Sequence, residues 1–350
     1  MISTLAAPLA PFADALPVPR RLVAAQQDGR LSVTICAGAH RFHRDLPESV
    51  IWGYEGTVPG PTIEAERGQP VTVAWRNELD RVLPVVVTIA PTAADASGVP
   101  VQCVPGLSGG TPDQNAAVLA GHTVVHLHGG LVPAPYDGWA ENLFAPGQDA
   151  VFCYPMGQRA ALLWYHDHVM GVTRFDVYAG RAGLWIVRDD RERGISLPEG
   201  PPFEVPLLIC DRNFGLDDSG RLTGQLVHKT DPEVMEAFPP FTVVNGKVWP
   251  LLEVQPATYR FRVLNGSNAR TYRLVLLRDG APELSRVTQI GTDHGLLATS
   301  ARVPPDGLLL APACSSTSPA WRLAASSRCS TPPPPRSMAP PSPPPAPPAP

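Results

Sequence analysis

Apolar residues along this chain recur at every second position in short runs, and the runs are punctuated by Gly and Pro. That period belongs to half-buried β-strands, because successive side chains on a strand point to opposite faces. The pattern predicts strands over Leu31–Cys36, Ser49–Tyr54, Val71–Asn77, Val85–Ala90, Thr123–His128, Ala150–Tyr154, Leu162–His168 and Gly183–Val187. A second set is predicted over Val205–Ile209, Phe241–Val244, Val248–Val254, Thr258–Leu264, Tyr272–Leu277 and Val287–Ile290. The period of two is lost between His168 and Tyr178, where a turn or two of helix is expected. Asn245-Gly246 between two apolar runs predicts a two-residue hairpin, since a type I′ turn needs positive φ at both positions. Thr92–Gly121, rich in Ala, Gly and Pro, reads as a long loop of the kind that is usually functional or mobile. Many short strands with little helix predict an all-β chain of Greek-key sandwiches.

The charged run Asp189-Asp190-Arg191-Glu192-Arg193 and the Pro-rich 198–202 separate the two strand sets and read as a linker. The expected organisation is a first domain over 1–190, a second and incomplete one over 191–312, and a tail over 313–350. In 331–350, 12 of 20 residues are Pro, and so apolar-poor a tail is expected to be disordered or extended polyproline. The two domains carry a faint internal repeat. Pro61-Thr-Ile-Glu64 leads to Asn77, and Pro250-Leu-Leu-Glu253 leads to Asn265, at nearly equal spacing.

Composition narrows the functional classes. A hydrophobic content of 44% suffices for real cores, and 17% charged residues suits a compact β-protein. The net charge of -4 supplies no basic field, so nucleic acid is not an expected partner. No apolar run reaches the ~18 residues that span a bilayer, and no membrane partner is expected. Residues 1–10 are apolar but lack the basic start of a signal peptide, so a cytoplasmic chain is expected. Six cysteines without metal-type spacing then read as free thiols.

The candidate chemistry lies in two histidine pairs, His126/His128 in Thr123–Gly130 and His166/His168 in Trp164–Gly171. At i and i+2 on a strand, two imidazoles project from one face about 6.6 Å apart. Such a pair serves two adjacent metals or converges on one, and imidazole suits copper, zinc and iron alike. A zinc hydrolase of the His-x-His-x-Asp-His kind would need Asp and His at 130 and 131, where Gly130 and Leu131 stand. The letters of a Gly-x-Ser-x-Gly elbow occur at Gly106, Ser108 and Gly110, but inside a Gly/Pro loop rather than between strand and helix.

His126-Leu-His-Gly-Gly130, Asp137-Gly-Trp-Ala-Glu-Asn142, Trp164-Tyr-His-Asp-His-Val-Met-Gly171 and Val177-Tyr-Ala-Gly180 together resemble the first half of bacterial multicopper oxidases. The group it resembles includes spore-coat laccase, bilirubin oxidase and phenoxazinone synthase. The resemblance extends to Phe12–Pro19, Ile290–Asp293 and Leu308–Pro312 and stops after Pro312, a break that reads as a shifted reading frame. It implies tandem cupredoxin-like sandwiches and copper as cofactor. His126 then corresponds to a type 2 ligand, and His128, His166 and His168 to type 3 ligands, half of an eight-histidine trinuclear cluster. Asp137 corresponds to an acid that helps protonate reduced dioxygen; the plain reading, a turn residue before Gly138, stands beside it. Asp167, on the opposite strand face, is expected to be a supporting acid. The implied function is laccase-like oxidation of phenols, aminophenols, pigments or metal ions, with dioxygen reduced to water. The family's type 1 copper motifs have no counterpart here, so the chain alone is expected to be inactive and to lack a C-terminal domain. The alternative is a non-catalytic cupredoxin-fold binding protein.

Overall fold

The computed structural model describes residues 9–88, 119–229, 236–293, 295–322 and 329–330. Most of the predicted long loop, His294 and the Pro-rich 331–350 lie outside the described residues.

Before residue 190 two sheets face each other. One has four strands in the order Ser49–Tyr54, Arg30–His40, Val71–Asn77, Asp149–Tyr154. The other has five in the order Arg21–Val23, Gly60–Glu66, Ala182–Arg188, Ala161–Asp167, Val125–His128. Alternation gives each sheet an apolar inner face, and the aromatic rings that line the two faces meet between them. Tyr54, Trp75 and Tyr154 from the first sheet and Tyr165 and Trp185 from the second are all fully buried. Tyr165 lies 4.7 Å from Tyr54 and 5.4 Å from Trp75, ring centre to ring centre. The polar tips are not abandoned: the Trp75 indole donates to Tyr154 Oη at 3.1 Å, and Tyr165 Oη to the Pro61 carbonyl at 2.6 Å. Gly183 is required beside this cluster, because a Cβ there would stand 2.3 Å from the Tyr165 ring.

After residue 190 a seven-stranded sheet runs Lys247–Val248, Phe241–Val244, Glu204–Arg212, Thr258–Asn265, Ser315–Arg322, Thr288–Thr292, Gly295–Arg302. Its first half repeats the four-stranded sheet. Arg30–His40 pairs antiparallel with Ser49–Tyr54 and parallel with Val71–Asn77, and Glu204–Arg212 pairs in the same senses with Phe241–Val244 and Thr258–Asn265. The repeated Asn closes the same bonds in both copies. Asn77 Oδ1 accepts from the Leu79 amide while its Nδ2 donates to the carbonyls of Gly121 and Phe144. Asn265 Oδ1 accepts from the Ser267 amide while its Nδ2 donates to Arg270 and Leu310. Each side chain is buried at a strand end, where it satisfies backbone groups that no ladder reaches. The Asn245-Gly246 hairpin forms as expected, with φ of 48° and 84°.

One expectation is corrected. The tail does not begin at 313: Ser315–Arg322 lies between Thr258–Asn265 and Thr288–Thr292 in the middle of the sheet. Its Ser-rich text has no apolar alternation, yet backbone ladders on both sides hold it, and Ser315, Ser316 and Thr317 are buried. Within the run 189–193, Asp190, Arg191 and Arg193 are exposed while Asp189 and Glu192 turn inward. Asp189 caps a short helix, Asp190–Arg193, by accepting from the Glu192 amide, and Glu192 is buried. Glu192 joins Arg188, Glu64, Glu204, Arg260 and Arg262 in an ion network. Each of these side chains is at most 8% exposed, so the charges balance one another in place of water. Hydrogen bonding also crosses residue 190, since Val85–Thr88 pairs parallel with Leu222–Lys229. No helix of the described residues is long and apolar enough to cross a membrane.

Candidate metal centre

Val125–His128 is the edge strand of the five-stranded sheet and pairs antiparallel with Ala161–Asp167, placing His126 directly opposite His166. Alternation sends Val125, Leu127 and Tyr165 into the core, fully buried, and turns His126, His128, Trp164 and His166 to the other face. The second strand ends at Asp167, so His168 sits one residue past it, its amide tied to the Val124 carbonyl at 2.9 Å. All four predicted histidines are thus brought together. Ring centres lie 5.5 Å apart for His126 and His166, 5.6 Å for His128 and His166, and 4.9 Å for His126 and His168. In His126, His128 and His166 one nitrogen of each falls within 4.8 Å of the other two.

Backbone carbonyls set the tautomers. A carbonyl only accepts, so His126 donates Nδ1–H to Asp137 O at 2.5 Å, and His166 donates Nδ1–H to Asp167 O at 2.7 Å. Both rings therefore keep the Nε2 lone pair for a ligand. His166 Nε2 stands 3.4 Å from His128 Nδ1, a separation that two metal–nitrogen bonds of about 2.0 Å span. Burial, reinforced by neighbouring imidazoles, holds His166 well below its ordinary pKa and lowers His128 and His168 too. Neutral rings are the ligating form, so the donor set fits copper or another imidazole-seeking metal.

Asp137 ends the 3-10 turn Ala134–Tyr136, and its carboxylate lies 3.6 Å from His126 Nδ1, on the side of the ring away from Nε2. The loop reaches so close because Gly138, at φ 76°, has no Cβ; one would meet the Val125 carbonyl at 2.3 Å. Asp167 lies behind the array, fully buried, accepting from Thr123 Oγ1 at 2.7 Å, Arg181 Nη1 at 3.0 Å and the Val169 amide at 3.0 Å.

Two participants were not singled out by sequence reasoning. Trp164 stacks on His166 with centroids 4.0 Å apart; its place two residues before His166 in an alternating strand was the available signal. Arg181, fully buried, bonds to Asp167 and Asp176, and nothing local in the sequence marks it. Of the other histidines, His40 and His43 bond to the carbonyls of Gly246 and Ala10, and His228 to Asn268, away from the array. Cys36, Cys153, Cys210 and Cys314 are free thiols.

The chain matches the multicopper oxidase family model over residues 39–100 and 114–192, a span that holds all four histidines. It is 39% identical over 326 residues to a laccase of Bacillus subtilis, covering 86% of this chain and 57% of that protein. A bilirubin oxidase of Albifimbria verrucaria is 30% identical over 260 residues, 74% of this chain and 37% of that protein. A multicopper oxidase of Aquifex aeolicus superposes with a TM-score of 0.66 at 25% identity, covering 88% of this chain and 57% of that one. The chain thus spans about half the length of the curated relatives it matches. On its paired histidine strands, its repeated sandwich sheets and these likenesses together, the chain belongs to the multicopper oxidase family.

Proposed function

We propose that this chain supplies half of the histidines of a trinuclear copper centre in a laccase-like oxidoreductase, one that takes electrons from small phenolic, aminophenolic or pigment substrates or metal ions and reduces dioxygen to water. The observation that carries this is the array itself: four imidazoles on one face of a strand pair, two of them locked by carbonyls into the tautomer that presents Nε2. Bound copper would supply the one-electron chemistry. The chain's own part is to hold neutral imidazoles at fixed spacing, to exclude water from His166 beneath the Trp164 ring, and to keep the Asp137 carboxylate within reach of His126 for proton handling. We further propose two cupredoxin-like units meeting near residue 190, with the remaining cluster ligands and the electron-entry copper in sequence outside this chain.

Copper titration by calorimetry tests the reading. The chain should bind copper, His166→Ala should lower stoichiometry or weaken affinity, and the unassisted chain should show negligible turnover of a phenolic dye. An identical titration curve for His166→Ala would sink the four-histidine centre.

A further inference from the structure

Behind the histidine face lies a cluster of ionisable groups that the metal-binding reading leaves unused. Asp167, Arg181 and Asp176 are all essentially inaccessible, and Arg181 forms ion pairs with both carboxylates. Two acids and one guanidinium out of water are costly, and well-packed apolar side chains of similar volume are often at least as stable. What such a cluster gives in return is definition of one geometry. Its contacts show which geometry is fixed.

Arg181 directly precedes Ala182, the residue paired with His166 across the sheet, and its carbonyl accepts from the Asp167 amide. Its Nη1 donates both to Asp167 Oδ2 at 3.0 Å and to the His122 carbonyl at 2.9 Å, so one guanidinium ties the end of the second histidine strand to the approach of the first. Thr123 Oγ1 donates to the same carboxylate oxygen, and the other oxygen is left for the Val169 amide. Asp167 is therefore held from both sides of the His166–His168 step: its carbonyl orients the His166 ring, and its carboxylate caps the turn that carries His168 beyond the last ladder bond. Arg181 in turn is anchored on Asp176 in the helix Thr173–Ala179.

We propose that Arg181 is a positioning residue for the metal centre, acting through Asp167 to hold His168 in register with the His126–His166 pair. This rests on the four-histidine reading above. Without Arg181 the buried carboxylate loses its cation and one of its two anchors on Oδ2, and the His168 turn is free to shift while the ladder-held His126 and His166 stay in place.

The test is a double-variant cycle read by copper(II) calorimetry and electron paramagnetic resonance on the intact chain. Arg181→Leu should weaken copper binding roughly ten-fold or more, as loss of a group supporting a metal ligand typically does, and should change the copper hyperfine pattern. His168→Ala combined with Arg181→Leu should then bind no worse than His168→Ala alone. Thr123→Val, nearly isosteric, removes one bond to the same carboxylate and should show a smaller loss in the same direction, which keeps the test open if Arg181→Leu does not fold. Copper binding by the parent chain with unchanged affinity and spectrum in these variants, or losses that simply add in the double variant, would overturn the proposal. A parent chain that binds no copper would instead sink the reading beneath it.

Discussion

Two backbone carbonyls do much of the orienting at the histidine array, a role that no side chain advertises in a sequence. Asp137 and Asp167 were both picked out for their carboxylates, yet each also turns an imidazole with its main-chain oxygen. The same residue-scale view yields a pH prediction away from the centre. His228 is buried against Phe175 and Tyr178, with Nε2 bonded to Asn268 and Nδ1 without a partner, and burial followed by the Arg174 charge lowers its pKa to about 4. Above pH 6.5 the ring is neutral folded or unfolded. As pH falls from 6.5 toward 4 the unfolded chain takes up a proton that the folded chain refuses, so stability should decline across that window by up to about 3 kcal/mol. Urea unfolding at several pH values checks this: His228→Gln should flatten that part of the profile, and a slope unchanged by the substitution would contradict it.

Among the strands, short apolar runs bounded by turn residues were legible, and Val71–Asn77 alternates cleanly as well. Ser49–Tyr54, Val71–Asn77 and Phe241–Val244 run as their apolar pattern says, and the Asn-Gly turn lies where its φ demand places it. Ser315–Arg322 was not legible, because its stability comes from neighbours on both sides rather than from its own side chains. A chain ended at Pro312 should therefore leave the ladders of Thr258–Asn265 and Thr288–Thr292 open. We expect a lower thermal midpoint and concentration-dependent aggregation by light scattering, and equal midpoints for the two chains would refute the strand's role. The charged run at 189–193 hid its buried acid for the complementary reason: Arg260 and Arg262, the partners of Glu192, are far away in sequence.

For the whole molecule, that ion network ties together strands from either side of residue 190. Burial pushes the Glu204 carboxyl up, but Arg262, Arg188 and Arg260 overcome it and hold the group far below the usual carboxylate range. Glu204→Gln would leave three buried guanidiniums facing two carboxylates, and breaking a buried pair this way typically costs about 3 to 5 kcal/mol. Denaturant unfolding should show that loss, while the histidine array, built on other strands, should keep its copper affinity. A loss below about 1 kcal/mol would mean that the network is solvated in solution.

The parallel pairing of Val85–Thr88 with Leu222–Lys229 bears on the order in which the protein comes into being. Residues near the start also wait for late partners, since the Phe12 amide bonds to the Trp249 carbonyl and the Leu16 amide to Leu251. During synthesis the first sandwich can gather its aromatic core once Arg188 has emerged, but the Val85–Thr88 seam waits for about 40 further residues and the bonds of Phe12 and Leu16 for more than 60. Contacts this distant in sequence slow folding and leave open strands exposed meanwhile. The nascent chain thus passes through a stage in which the histidine face exists before the body that steadies it, which makes that interval the natural target for a chaperone or for premature capture of metal.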